Sequence, residues 1–279
     1  MQSNTNIIIE GSKNKPISID LFYTPNGKPK PLVIFVHGFK GFKDWGHFNL
    51  VAKTFAEAEC VFVKFNFSYN GTTPKNPLVF DDLEAFGNNN YIIELDDLEL
   101  VMNWVLNKLS LSQEIDKTNV TLIGHSRGGG IAILKAAEDK RVTKIITWAA
   151  VSDFINRNKQ NTLNSWKEKG VVHTFNMRTN QQMPLYYQFY ETIQNNKERL
   201  NIVNAAKKLT IPFLIIHGTA DEAVSFEDAI ELHDTCEQSE IIKLEGAGHT
   251  FGAKHPFEGT EFSESADSVI QSSISFVRK

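Results

Sequence analysis

Residues Val120 to Gly130, V-T-L-I-G-H-S-R-G-G-G, run a strand-length apolar stretch straight into a serine set among glycines, after which the pattern turns helical. A strand that enters a helix through so tight a turn constrains the whole chain, because it belongs in a buried sheet with helices packed beside it. The turn Gly124-His125-Ser126-Arg127-Gly128 has the form of a nucleophile elbow. Strained backbone angles lift such a serine above its strand end, and glycines flank it where a β-carbon would not fit. A phosphate-cradling loop is the rival reading of a glycine-rich βα turn, but the chain has neither the lysine of a P-loop nor G-x-G-x-x-G spacing.

Other segments repeat the strand-then-helix rhythm. Pro31 to Val36 is a continuous apolar run, the pattern of a strand covered on both faces. Helical stretches near 47–58 and 90–109 lead to Val61–Phe65 and to Val120–Ile123, and a helix over 127–138 leads to Lys144–Trp148. Pro212–Ile216, Glu240–Leu244 and a last helix over 264–277 follow, while β-rich runs at 6–9 and 17–23 predict an antiparallel start. The alternation predicts an α/β fold with a mostly parallel, doubly wound sheet.

The interval 153–208 breaks that rhythm. It is too long for an ordinary connection and carries Phe154, Trp166, Phe175, Tyr186, Tyr187, Phe189 and Tyr190. It reads as a cap inserted over the carboxyl edge of a core domain formed by 1–152 and 209–279, with Trp166, Tyr186 and Tyr187 as candidate substrate contacts. The alternative is a further helix pair whose aromatic residues are its core face.

A chain of 279 residues is long enough for one large domain of this kind. Its net charge of -4 offers no basic stripe for a nucleic-acid backbone. No apolar run approaches the ~20 residues of a membrane span, and Met1 to Asn6 open no basic, then apolar, leader, so a cytoplasmic protein is expected. Cys60 and Cys236 are too few and too far apart for a disulfide framework or a zinc site.

A serine hydroxyl attacks only beside a base and near donors that hold an oxyanion. Of the eight histidines, His249 is best placed, in the loosened loop Glu245-Gly246-Ala247-Gly248-His249 after the last strand. His125 adjoins the serine but is expected to leave the elbow in the opposite direction, and His37 and His217 close strands, where packing or a local hydrogen bond is the safer role. The carboxylate that fixes an imidazole's tautomer is expected from Asp221, at the end of the preceding strand, with Asp153 as competitor. The order Ser126, Asp221, His249 is that of α/β-hydrolases. After the strand ending at Val36, the turn His37-Gly38-Phe39-Lys40-Gly41 would present the Phe39 N–H, and Arg127 the second N–H, as an oxyanion hole.

With these motifs, the chain resembles the α/β-hydrolase superfamily along nearly its whole length. In H-G-F-K-G, G-H-S-R-G-G, H-G-T-A-D-E-A-V and G-A-G-H-T-F it is similar to the dienelactone hydrolase, serine aminopeptidase and cinnamoyl or feruloyl esterase group. The resemblance implies an eight-stranded sheet with a cap, Ser126 as nucleophile, Asp221 and His249 as its partners, Phe39 and Arg127 at the oxyanion, and no metal or organic cofactor. Dienelactone hydrolases proper use cysteine where this chain has Ser126, which favours cleavage of a small-molecule carboxylic ester through an acyl-enzyme. Aminopeptidase, acyl-peptide hydrolase, thioesterase and acyltransferase chemistry share the triad. A peptidase would need an acid in the cap for the substrate ammonium, for which Glu168 and Glu191 are the candidates. A non-catalytic scaffold would have no need of the intact triad.

Overall fold

A computed structural model describes residues 1–108, 111–156 and 160–279. In strand β3 (Lys30–Val36), Leu32, Ile34 and Val36 feed one apolar core while Val33 and Phe35 feed another. The period of two along an all-apolar strand thus becomes two covered faces. The other central strands divide in the same way, Phe213 and Ile215 from Leu214 and Ile216 in the strand Phe213–Gly218 for example.

The strands are β1 (Gln2–Glu10), β2 (Pro16–Tyr23), β3, β4 (Val61–Asn66), β5 (Ile115–His125), β6 (Lys144–Trp148), β7 (Val171–Asn176), β8 (Gln181–Tyr186), β9 (Phe213–Gly218) and β10 (Ser239–Leu244). Eight of them form one sheet in the order β1-β2-β4-β3-β5-β6-β9-β10. Pairing is antiparallel from β1 to β4 and parallel from β4 to β10, which agrees with the antiparallel start and parallel body expected from sequence.

The helices are α1 (Phe48–Glu57), α2 (Leu83–Asn88), α3 (Tyr91–Asn107), α4 (Arg127–Glu138), α5 (Gln160–Lys169), α6 (Gln188–Asn195), α7 (Ile202–Lys207), α8 (Phe226–Thr235) and α9 (Glu264–Arg278). Residues of α1 and α9 close one core, and residues of α3, α4, α7 and α8 the other. Polar caps start several of them: the Asn90 side chain accepts from the amides of Ile92 and Ile93, and Ser263 accepts from that of Ala266. Among the described residues no helix is long and apolar enough to cross a membrane.

The interval 153–208 holds α5, the antiparallel hairpin β7–β8, α6 and α7, between β6 and β9. Its aromatic residues divide. Phe154, Trp166 and Phe189 are buried in the same core as α3 and α4. The hairpin end is different, with Phe175 47% and Met177 86% exposed. It reaches the loop after β3, where Lys40 Nζ donates to the Phe175 carbonyl at 2.8 Å and Arg178 Nη2 donates to the Lys40 carbonyl at 2.6 Å.

That loop is also tied down from below by charge. Lys43 and Lys64, fully buried, both contact Asp20 Oδ2, at 2.8 and 2.6 Å, and both also reach the carboxylate of Asp44. The Lys43 amide donates to Asn66 Oδ1 at 2.6 Å. Two ammonium and two carboxylate groups thus neutralise one another where the loop meets β2 and β4.

Candidate active site

Parallel strands leave their carboxyl ends along one edge, the edge where open α/β sheets bring functional loops together. The turn between β5 and α4 puts Ser126 there with φ 56 and ψ -121, a left-handed φ that only close packing enforces on a serine. The packing is visible in the glycines. A β-carbon on Gly128 would stand 2.2 Å from the Val36 carbonyl oxygen, and one on Gly124 2.3 Å from that of Gly128.

Three loops from three strand ends meet at this serine. His249 Nε2 is 3.0 Å from Ser126 Oγ, and His249 Nδ1 is 2.8 Å from Asp221 Oδ2. A carboxylate only accepts, so Nδ1 carries the proton and Nε2 is left with the lone pair that can accept from the hydroxyl. Asp221 Oδ1 accepts from the Ala223 and Val224 amides at 2.8 and 2.9 Å, which fixes the carboxylate in plane. Burial pushes the Asp221 carboxyl up, but hydrogen bonds from His217, His249 and the Val224 amide outweigh it and hold the group well below the usual carboxylate range. It is therefore an anion throughout the neutral range.

His217 is the partner that the sequence placed only as a strand-end residue. Its Nε2 lies 3.0 Å from the Val224 carbonyl and 3.3 Å from Asp221 Oδ2, so one N–H is shared between them. His125 departs from expectation more clearly. It does not turn away: its Nε2 lies 3.0 Å from the His249 carbonyl, and burial pushes its pKa down to about 3. A neutral imidazole facing a carbonyl must donate, so His125 supports the loop that carries His249. Asp153 does not approach His249, its two oxygens accepting from the amides of Ile155 and Asn156 in a local turn.

A β-carbon on Gly38 would stand 3.0 Å from the Ser126 β-carbon, so glycine is what allows the loop carrying Phe39 to lie against the serine. Arg127 opens α4, and its amide is one that a helix leaves unbonded. The Arg127 side chain lies 4.0 Å over the Phe39 ring and reaches the buried Glu94 at 3.4 Å.

Two cavities meet at Ser126 and His249. One, about 460 Å³, has Phe39, Lys40, Trp45, Phe175, Met177 and Arg178 in its wall. The other, about 420 Å³, has Tyr91, Arg127, Phe154, Leu185 and Phe189. Trp166, Tyr186 and Tyr187, the expected substrate contacts, line neither. Trp166 is 3% exposed and donates its indole N–H to the Leu185 carbonyl at 2.8 Å, with Tyr187 packed on its edge, while the Tyr186 hydroxyl donates to Glu84. The aromatic residues of 153–208 that reach the cavity walls are instead Phe154, Phe175 and Phe189. Glu168 and Glu191 are exposed and also outside both walls.

Three histidines around the site resist protonation. Burial brings His37 and His47 down to about 4 and His125 to about 3. Below the usual value of 6.5 the unfolded chain binds protons at these positions that the folded chain does not, so each lowers stability as the pH falls toward its folded value. His47, packed among Phe48, Phe257 and Phe262, gives the cleanest test. His47→Gln should reduce the protons taken up on unfolding near pH 5 by about one, read from the slope of denaturant stability against pH. An unchanged slope would show that His47 is already charged in the folded chain.

Comparison with known proteins gives a consistent picture. The BD-FAE family profile matches residues 19–236. A Mycoplasma genitalium protein provisionally named esterase/lipase 2 is 26% identical over 225 residues, 80% of this chain and 72% of that protein. Among solved structures, Est1E from Butyrivibrio proteoclasticus with bound ferulic acid superposes with TM-score 0.73 at 17% identity, covering 98% of this chain and 100% of that one. The α/β hydrolase GrgF from Penicillium sp. sh18 gives TM-score 0.74 at 16% identity, covering 100% and 98%.

Proposed function

We propose, from the premise that this chain belongs to the BD-FAE family within the α/β-hydrolase superfamily, that it is a serine esterase working through an acyl-enzyme on small carboxylic esters. The single observation that carries the reading is the continuous hydrogen-bonded path from Asp221 through His249 to Ser126, with bonds of 2.8 and 3.0 Å. Along it, Ser126 Oγ attacks the ester carbonyl carbon as His249 Nε2 takes its proton. The carbonyl oxygen gathers charge facing the Phe39 and Arg127 amides. Collapse breaks the carbon–oxygen bond, the alcohol leaves with the proton from His249, and a water activated by the same imidazole then releases the acid. Support from relatives is of the same kind, since one is named for esterase or lipase activity and one solved neighbour holds ferulic acid.

A peptidase reading has less to stand on. Among the described residues neither cavity wall carries a carboxylate to receive a substrate ammonium. Reaction with a fluorophosphonate probe tests the esterase reading directly: the wild-type chain should be labelled at Ser126 and the Ser126→Ala chain not at all. Absence of labelling in the folded wild type would remove the activated serine and leave a scaffold.

Within this reading the segment 153–208 acts as the cap, and its selecting part is the hairpin end. Phe175→Ala and Met177→Ala should change the ranking of a ladder from acetyl to longer acyl and aryl esters by several-fold. Trp166→Ala should instead lower stability by about 3–5 kcal/mol, the usual result of emptying a buried aromatic site. A ladder altered by Trp166→Ala and not by the hairpin variants would reverse the assignment.

A further inference from the structure

The larger cavity has an unusual charge. Among the described residues its wall contains Lys40 and Arg178 and no Asp or Glu, in a chain whose net charge is -4. Among the described residues neither cation forms an ion pair. Lys40 Nζ donates to the Phe175 carbonyl and lies 5.4 Å over the Phe39 ring, and Arg178 Nη2 donates to the Lys40 carbonyl with its guanidinium 5.3 Å over Trp45. An ammonium has three donors and a guanidinium five, so both keep donors to offer. The acid nearest in sequence, Asp44, is already held by Lys43 and Lys64. Burial, followed by repulsion from Arg178 and Arg127, holds the Lys40 ammonium below its usual range.

We infer that this cavity receives the anionic end of the substrate, so that the ester cleaved at Ser126 bears a carboxylate or similarly charged oxyanion on one of its two arms. The inference rests on the esterase reading for the position of the scissile bond, and on the cavity wall for the charge. Lys40 lies one residue from the proposed oxyanion donor Phe39, and Arg178 faces it from the hairpin. An ester seated at Ser126 with its charged end between them would make charge-assisted hydrogen bonds to both.

Two matched ester pairs test it. On the alcohol side, 4-acetoxybenzoate is compared with 4-acetoxybenzamide; on the acyl side, monomethyl terephthalate with methyl 4-carbamoylbenzoate. Each kcat/KM is divided by the ester's own hydroxide-catalysed rate. The carboxylate member of one pair should be favoured about tenfold, as for two partly exposed charge contacts, and the pair affected identifies the arm. The preference should shrink in molar salt and in Lys40→Gln and Arg178→Gln, and survive largely in Arg178→Lys. Ratios near one in both pairs overturn the inference. So does an equal loss on charged and neutral members in the Gln variants, which would make Lys40 and Arg178 a clasp between hairpin and loop and nothing more. Calorimetric Kd ratios for the same pairs on Ser126→Ala decide the charge preference without turnover. If the wild-type chain cleaves none of the four esters, the esterase reading fails, and the Kd ratios still support or overturn the anion site.

Discussion

Ser126→Ala is expected to lower ester turnover by on the order of 10⁶ while leaving the fold in place. The hydroxyl contributes the attacking atom, and it lies 3.0 Å from His249 Nε2. The position itself is fixed by backbone: the Ser126 amide donates to the Trp148 carbonyl at 2.9 Å, and its own carbonyl accepts from Gly129 at 3.0 Å. Alanine keeps those bonds and has the same β-carbon, so the left-handed φ is no harder to hold. The measurement is kcat on an activated aryl ester together with the thermal midpoint. Turnover near the wild-type value in a clean preparation would refute Ser126 as nucleophile; a large fall in the midpoint would mean that the loss reflects unfolding.

Asp221→Asn should cost on the order of 10⁴ in turnover, the scale seen when the analogous carboxylate of a serine protease is made an amide. The reason is the proton on His249. With a carboxylate at 2.8 Å, Nδ1 must be the donor and Nε2 the acceptor toward Ser126. Asn has one oxygen, which the Ala223 and Val224 amides at 2.8 and 2.9 Å already claim, so its NH₂ faces Nδ1 and favours the opposite tautomer, useless as a base. Asp153→Asn is the control and should leave turnover nearly unchanged, since its oxygens cap the amides of Ile155 and Asn156. A greater loss at Asp153 than at Asp221 would reverse the two roles.

What could be read in the sequence was local. The turn around Ser126 is visible because steric limits act on adjacent residues, and β3 and β9 are visible because double-sided burial leaves an unbroken apolar run. The pairing of Asp221 with His249 followed from their positions after successive strands. The contents of 153–208 did not follow, because its aromatic residues look alike in sequence and are sorted only by the fold: Trp166 turns inward toward α6, while Phe175, in a strand of alternating exposure, faces the cavity. The roles of His125 and of His217 toward Asp221 are not legible in the sequence for a related reason. Their partners, the His249 carbonyl and Asp221, lie on loops whose approach no local pattern encodes. Lys40 stands in the turn H-G-F-K-G, yet that it pairs with no acid among the described residues is visible only in the fold, where the hairpin brings Arg178 beside it.

The neutral ring of Lys43, Lys64, Asp20 and Asp44 limits how this protein can change over time. Losing any one member strands an uncompensated charge in the interior, a defect of about 3–5 kcal/mol, a large share of what holds most domains folded. Losing all four in favour of apolar side chains of similar size would be close to neutral or even favourable. The route between those two states passes through variants that barely fold. The four groups therefore act as one energetic unit, and substitutions in the loop bearing Phe39 should be tolerated best at positions that leave this anchor untouched.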